Sequence, residues 1–360
     1  MGLLLIPKKF KEFISELKKE DNIGIYFDGD PDGLTAGAII FRALKKMNLT
    51  PKLIFTQGKG NPFLSKETAD FLKKNKINKF ICVDISLDQQ PEGIKECEKT
   101  AEKILILDHH KRYNDVDSDK TVMFKSGELS ELDGAAYPSA KFSFDLFSEF
   151  TDLNGESWIS ATGIIGDNGL RHWKEFIEEV YEKHKTNFSK LNKLQELISA
   201  VEVSNAQKLN ELVIEFINAK KPEDILNSRF AGLIKELEKE MNKLMEKFQK
   251  EKEVFEELEL VFFEFESSKR IKSPLANMVS NEFYPNKTVF IFQVTGEKVL
   301  ISARRQDYKV KVNDLIEESI KGFDNASGGG HIPAAAGKIM LNDLKEFKER
   351  IKKKLKHKYI

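Results

Sequence analysis

The chain has 360 residues, and Lys plus Arg equals Asp plus Glu at 58 each, so the formal net charge is zero. That length holds two ordinary domains with a core in each, and the balanced charge excludes a global basic field that would coat the protein onto nucleic acid. Two cysteines, Cys82 and Cys97, exclude a disulfide framework, and no uncharged run reaches the ~20 residues of a membrane span. The apolar start at residues 2–6 is too short for a signal-peptide core, and position 6 is Ile where a myristoylation pattern needs Ser or Thr. A cytoplasmic protein with no membrane contact is the expectation.

Residues 8–20 mix Lys and Glu with Phe10, Phe13, Ile14 and Leu17, the spacing of an amphipathic helix. A short apolar strand over 22–27 then ends in Asp28-Gly-Asp30-Pro-Asp32-Gly33, followed by a helix over 34–47. Pro31 and Gly33 place the three acids on an irregular turn and not on a helix face. A capping turn needs one Asp, whereas three close carboxylates repel unless a cation neutralises them. The opening resembles a calcium loop, but position 39 is Ile where that loop requires Glu, which favours magnesium or a transition metal.

A strand over 52–55 leads to Gln57-Gly-Lys-Gly60, which does not have the spacing of a phosphate-binding P-loop. A further strand, 80–83, ends at Asp84, and the apolar run 104–107 ends at Asp108-His109-His110. Strand ends of parallel sheets are where such folds place ligands, and an acid with two imidazoles suits a divalent metal. Residues 135–150 and 158–165 read as buried helices. The second leads to Gly166-Asp167-Asn-Gly169, where the acid is either paired, metal-bound or simply turn chemistry.

From 171 to 255 the composition shifts to Lys, Glu and Leu, and Ile234, Leu237, Met241, Leu244, Phe248 and Phe255 form one narrow apolar seam. The expectation is a long connecting helix packing on its neighbours, with a dimerising coiled coil as the alternative. Strands follow at 258–265, 288–294 and 298–303, the last two joined by a hairpin at Thr295-Gly296, with a helix at 274–283. Arg304 and Arg305 stand at the hairpin's exit. Gly328, Gly329 and Gly330 put bare backbone N–H groups beside His331 and a predicted helix start, which suits an anion, unless the glycines form only a flexible loop.

Asp28, Asp30, Asp32, Asp84, Asp108, His109, His110 and Asp167 thus come from four strand-end or Gly-flanked segments. They are too many for one metal and suit two that share a bridging acid. Two metals roughly 3.5–4 Å apart clamp the attacking and leaving oxygens of a phosphate ester, so the residues predict metal-dependent phosphoester hydrolysis.

In order, the Asp-x-Asp-x-Asp-Gly turn, the strand-end Asp84, Asp108-His109-His110 and Gly166-Asp167 resemble the four motifs of the DHH phosphoesterase family. Ser302-Ala-Arg304 and Gly-Gly-Gly-His-x-x-Ala-Ala-x-Gly are similar to that family's smaller C-terminal substrate domain. The resemblance spans 22–170 and about 258–345. It implies an α/β protein in which a catalytic domain, 1–170, carries a mostly parallel sheet flanked by helices. A helical connecting section, 171–255, and a smaller α/β substrate-binding domain, 256–360, follow.

The resemblance also assigns roles. One metal falls to Asp28, Asp30 and Asp84, and the second to Asp32, Asp84, His109 and Asp167, with manganese preferred over magnesium. His110 would contact the scissile phosphate, Asp108 would orient the histidines, and Arg304, His331 and the amides of 328–330 would grip the nucleotide backbone. The implied activity is most like that of archaeal RecJ-like exonucleases, which degrade single-stranded DNA, or RNA, to 5′-mononucleotides in repair and replication. A helicase or replisome protein would be the partner of the helical section. Two alternatives stand: a phosphodiesterase of short oligonucleotides or cyclic dinucleotides, and a non-catalytic replication or repair scaffold. Asp28 departs from the many relatives that carry histidine there, which leaves the subgroup open.

Overall fold

The computed structural model describes residues 6–57, 62–267, 269 and 271–359. The readings of residues 1–5 and of Gly58, Lys59 and Gly60 lie outside the described residues. The chain forms two compact units, Met1–Ile234 and Lys235–Ile360.

The first unit opens with α1 (Lys8–Ser15), β1 (Ile23–Phe27), α2 (Pro31–Lys46), β2 (Leu53–Phe55), α3 (Lys66–Lys74) and β3 (Lys79–Val83). Next come α4 (Pro91–Glu98), β4 (Lys103–Asp108), β5 (Thr121–Lys125), α5 (Ser139–Ser148) and α6 (Ser157–Gly166). The five strands are all parallel, in the order β2-β1-β3-β4-β5. Successive strand residues point to opposite faces, so both faces must be apolar when helices cover each side. Ile25, Phe27, Ile81, Val83, Leu105 and Leu107 join one core with α1, α2, α5 and α6. Tyr26, Phe80, Cys82, Ile104 and Ile106 join the other, with α3 and α4.

Helices α7 (Lys174–His184), α8 (Phe188–Asn205), α9 (Leu209–Asn218) and α10 (Pro222–Leu226) complete this unit. Leu194, Leu197, Ile198, Leu212, Val213 and Phe216 are buried in the same core as α2 and α6. Residues 171–234 therefore fold with the first unit. The apolar seam continues on α11 (Gly232–Glu251), but that helix stops before Phe255, which lies on a short strand, β6 (Glu253–Phe255). The expectation that Phe255 shares the helical seam is corrected by this strand: Val254 and Phe255 pair with Val261 and Leu260 of β7 (Leu260–Glu266), satisfying backbone groups that a longer helix would have used.

The second unit continues with α12 (Lys272–Met278), β8 (Thr288–Thr295), β9 (Lys298–Arg304), α13 (Val312–Ser319), β10 (Ser327–Gly330), β11 (Ala334–Met340) and α14 (Leu344–Tyr359). Its sheet runs β10-β11-β9-β8-β7-β6, with only β7 and β8 parallel. Phe290 and Phe292 pack with α13 and α14, whereas Val289 and Ile291 pack with α11 and α12, so alternate residues again serve two helical layers. The hairpin turns where the sequence places it, with Thr295 opposite Lys298 and Gly296 at φ +59°.

Two local expectations are overturned. Pro31 starts α2 instead of breaking it, with Asp30 as N-cap accepting from the Gly33 N–H at 2.9 Å, so Asp32 and Gly33 belong to the first helical turn. A proline at the first helical position lacks only an N–H that would have no helical partner. The glycines after Ser327 do not precede a helix: Gly328 pairs with Gly337 and Gly330 with Ala335, making a β-hairpin around His331. Gly328 is required by packing, since a Cβ there would lie 2.5 Å from Ile316.

Candidate metal centre

Strand order 2-1-3-4-5 has its topological switch between β1 and β3, where the chain leaves in opposite directions and opens a crevice at the strands' carboxyl ends. Parallel register sets the acids in a row there. Phe27 pairs with Val83, and Val83 with Leu107, so the next residues on the three strands are Asp28, Asp84 and Asp108. The Asp28 N–H donates to the Val83 carbonyl and the Asp84 N–H to the Leu107 carbonyl, which fixes the row. Asp84 adopts a left-handed conformation, φ +67°, a backbone state that costs a non-glycine residue energy and recurs at functional sites.

Around this row the carboxylates converge. Single ligand atoms of Asp28, Asp30 and Asp84 lie within 4.8 Å of one another, as do those of Asp32, His109 and Asp167, and of Asp84, Asp108 and His110. Helix α5 aims its first turn at the group: the N–H groups of Ser139 and Ala140 donate to Asp32 at 2.7 and 2.9 Å, and the Ser139 hydroxyl donates to Asp84 at 2.9 Å. A helix N-terminus is a favourable place for an anion. Gly163 of α6 lets the three helices meet here, since a Cβ would lie 2.4 Å from the Thr35 hydroxyl and 3.0 Å from Asp32.

The two histidines are held differently. His109 is buried, and its Nδ1 lies 3.1 Å from the Gly134 carbonyl, which can only accept. Nδ1 therefore carries the proton of a neutral ring, and the Nε2 lone pair faces Asp84 at 3.3 Å and Asp32 at 3.9 Å. Burial and the neighbouring His110 hold His109 neutral by lowering its pKa to about 3. For His110, burial acts in the same direction, but the charge of Asp108 and a 2.7 Å hydrogen bond from Nδ1 overcome it and raise the pKa to about 9. Asp108 thus grips the ring of His110; toward His109 it reaches only the backbone N–H, at 2.8 Å.

The carboxylates are a destabilised set. Burial and the charge of Asp30 push Asp32 up to about 7, against the pull of the Ala140 and Ser139 N–H groups. Burial, with Asp32, Asp30 and Asp28 close by, pushes Asp84 well above the carboxylate range. The His109 Nε2 lone pair faces buried carboxylate oxygens at 3.3 and 3.9 Å, acceptors that need a proton or a cation between them. Carboxylate oxygens with one neutral imidazole match manganese or magnesium, so the residues present fit a divalent metal centre.

Two site features escaped the sequence reading. Lys125 on β5 is opposite Asp108 in register, is 2% exposed, and contacts both Asp108 and Asp88. No motif signals it; only the pairing of β5 with β4 brings it in. Ser139 is equally invisible, as its role comes from where α5 begins. In the second unit, Arg304 is half-buried, with Nε donating to the Asn277 side chain at 2.7 Å. Its neighbour Arg305 is fully buried and paired with Glu259 and Asp307, a structural role. Gly328, Gly329, Gly330 and His331 form the hairpin edge described above, so ladder pairing with β11 engages part of the glycine backbone.

Two family models match the chain: the DHH family, N-terminal domain, over residues 22–151, and the DHHA1 domain over 259–357. No curated protein matches it. Solved structures of similar fold include RecJ in complex with Mn2+ from Thermus thermophilus, at TM-score 0.72 and 15% identity, covering 99% of this chain and 56% of that one. Exonuclease RecJ bound to manganese is similar at TM-score 0.65 and 15% identity, over 99% of this chain and 96% of the other. CDC45 from Entamoeba histolytica follows at TM-score 0.53 and 11% identity, over 97% and 99%. This chain therefore spans little more than half of the Thermus thermophilus protein.

Proposed function

Because the chain belongs to the DHH family, carrying both its N-terminal domain and a DHHA1 domain, we propose that this phosphoesterase is a metal-dependent phosphodiesterase acting as a RecJ-like exonuclease on single-stranded nucleic acid. The observation that carries the reading is the convergence of buried Asp32, Asp84 and neutral His109 with Asp28, Asp30 and Asp167 at the switch point. The metals assigned are two divalent cations, manganese before magnesium; RecJ structures of this fold are in complex with either ion. When bound, such ions supply charge neutralisation and Lewis-acid activation of water and phosphate.

The chain's own residues do the rest. Asp28, Asp30 and Asp84 would hold one ion, and Asp32, Asp84, His109 and Asp167 the second. His110, kept cationic by Asp108, would donate to a non-bridging oxygen of the scissile phosphate and stabilise charge that grows there. Arg304 and His331 would bind the nucleotide backbone. Full retention of the acids speaks against a non-catalytic scaffold. The zero net charge favours short strands over long tracks, so oligonucleotide cleavage is the second reading.

The test is hydrolysis of 5′- and 3′-labelled DNA and RNA single strands of about 2 to 30 nucleotides, with manganese, magnesium or chelator, beside Asp84→Asn; the lengths bracket the ~4–16 nucleotides of a usual single-strand site. The expected result is metal-dependent laddering that Asp84→Asn abolishes. Cleavage confined to the shortest strands would transfer the assignment to oligonucleotides. No cleavage by the metal-bound protein would overturn the enzyme reading.

A further inference from the structure

The segment that carries the two histidines is anchored on both sides by one buried cation. Lys125 Nζ donates to Asp108 Oδ2 and, at 3.0 Å, to Asp88 Oδ1. Asp108 precedes the histidines and uses its other oxygen on the His109 N–H, the His110 N–H and His110 Nδ1. Asp88 acts beyond them: its Oδ2 accepts from the backbone N–H groups of Tyr113 and Asn114, and its carbonyl accepts from the Asn114 side chain at 2.7 Å. Lys125 is 2% exposed and both acids are fully buried. From these contacts we propose that Lys125 and Asp88 are positioning residues, a clamp that sets the 108–114 segment and through Asp108 the ring of His110 relative to the metal ligands.

The physical argument starts from cost. A buried ion pair seldom stabilises a fold more than well-packed apolar residues of similar volume, so these charges are a poor choice for stability alone. Their geometry serves position instead. Segment 109–114 leaves the sheet as non-regular chain, and the ladder that fixes Asp108 gives no hold on the residues beyond it. Lys125, opposite Asp108 on the neighbouring strand, bridges from the ladder to Asp88, and Asp88 reaches the far end of the segment. Asp108 also needs a cation on its outer oxygen: without Lys125, the buried carboxylate that holds His110 would be balanced by that imidazole alone.

The inference rests on the site proposed above, and the experiment separates the two. The 360-residue chain labelled with 15N at its six histidines is compared, without paramagnetic ions, as wild type, Lys125→Met, Asp88→Asn and His110→Gln. His110→Gln identifies the downfield Nδ1 proton bonded to Asp108. Turnover of a labelled single strand with manganese, and manganese binding by titration calorimetry, are measured on the same proteins. The clamp predicts that Lys125→Met loses that downfield signal and loses kcat by about 10²-fold, with KM and manganese stoichiometry retained. Asp88→Asn, which preserves shape, should shift the same signal and lower kcat by about tenfold, and carries the test if Lys125→Met does not fold. Folded variants that keep the His110 signal and wild-type kcat would overturn the clamp, as would losses that only track the folded fraction. Should wild type cleave no strand, the nuclease reading fails while the histidine spectra still decide the clamp.

Discussion

Asp84 concentrates strain at one residue of the proposed metal centre. Burial among Asp28, Asp30 and Asp32 makes its carboxyl keep a proton that the unfolded chain would release, and it is held at φ +67°, so the metal-free protein bears an electrostatic and a backbone cost at one position. Asparagine tolerates that backbone region and carries no charge. Asp84→Asn should therefore raise the melting temperature of metal-free protein by roughly 2–4 °C, for about 1 kcal/mol, while abolishing manganese binding. Thermal melts with and without chelator check this; a variant that melts lower than wild type in chelator would show that the repulsion is already relieved.

At the scale of elements, three helices meet because one residue has no side chain. Gly163 of α6 faces the Thr35 hydroxyl of α2 and Ala140 of α5, with room for nothing larger, and a methyl group there would come within 3.0 Å of Asp32. Gly163→Ala ought to push α5 from α2 and weaken the Ser139 and Ala140 donors to Asp32. Overpacking of this kind costs about 1–3 kcal/mol, but the affinity for manganese should fall further than the stability, because the displaced donors orient Asp32, a ligand in the proposed metal centre. Urea unfolding and manganese titration on the same preparation measure both; equal affinity in a destabilised variant would detach Gly163 from the site.

Across the whole molecule, the residues assigned to the two ions, Asp28, Asp30, Asp32, Asp84, His109 and Asp167, come from the first unit and from segments far apart in sequence. A cation that bridges such segments binds only the folded state, so it stabilises by mass action, about 2.7 kcal/mol at a hundredfold excess over Kd. Manganese should thus slow hydrogen exchange in peptides covering 27–34, 83–86, 107–114 and 136–141, and chelator should reverse it. Mass spectrometry of exchanged peptides reads this directly; protection absent from those four segments would place the metal elsewhere.

Much of this was legible beforehand. Apolar runs in 22–27, 80–83 and 104–107 require strands buried on both faces, and acids at three strand ends announce a ligand site, because backbone periodicity and residue chemistry are local properties. The five-stranded parallel sheet follows from them. The helix start at Pro31 is local chemistry, since the adjacent Asp30 caps it. Two features needed tertiary structure: the glycines at 328–330 form a strand because β11 offers them a ladder, and Phe255 leaves the helical seam for β6. Lys125 became part of the site only through strand pairing with Asp108. The amino-acid sequence by itself determined which chemistry is available and which segments carry it, since both depend on residue type and near neighbours. Tertiary structure alone decided which buried charges meet, because that depends on register between segments that no local pattern encodes.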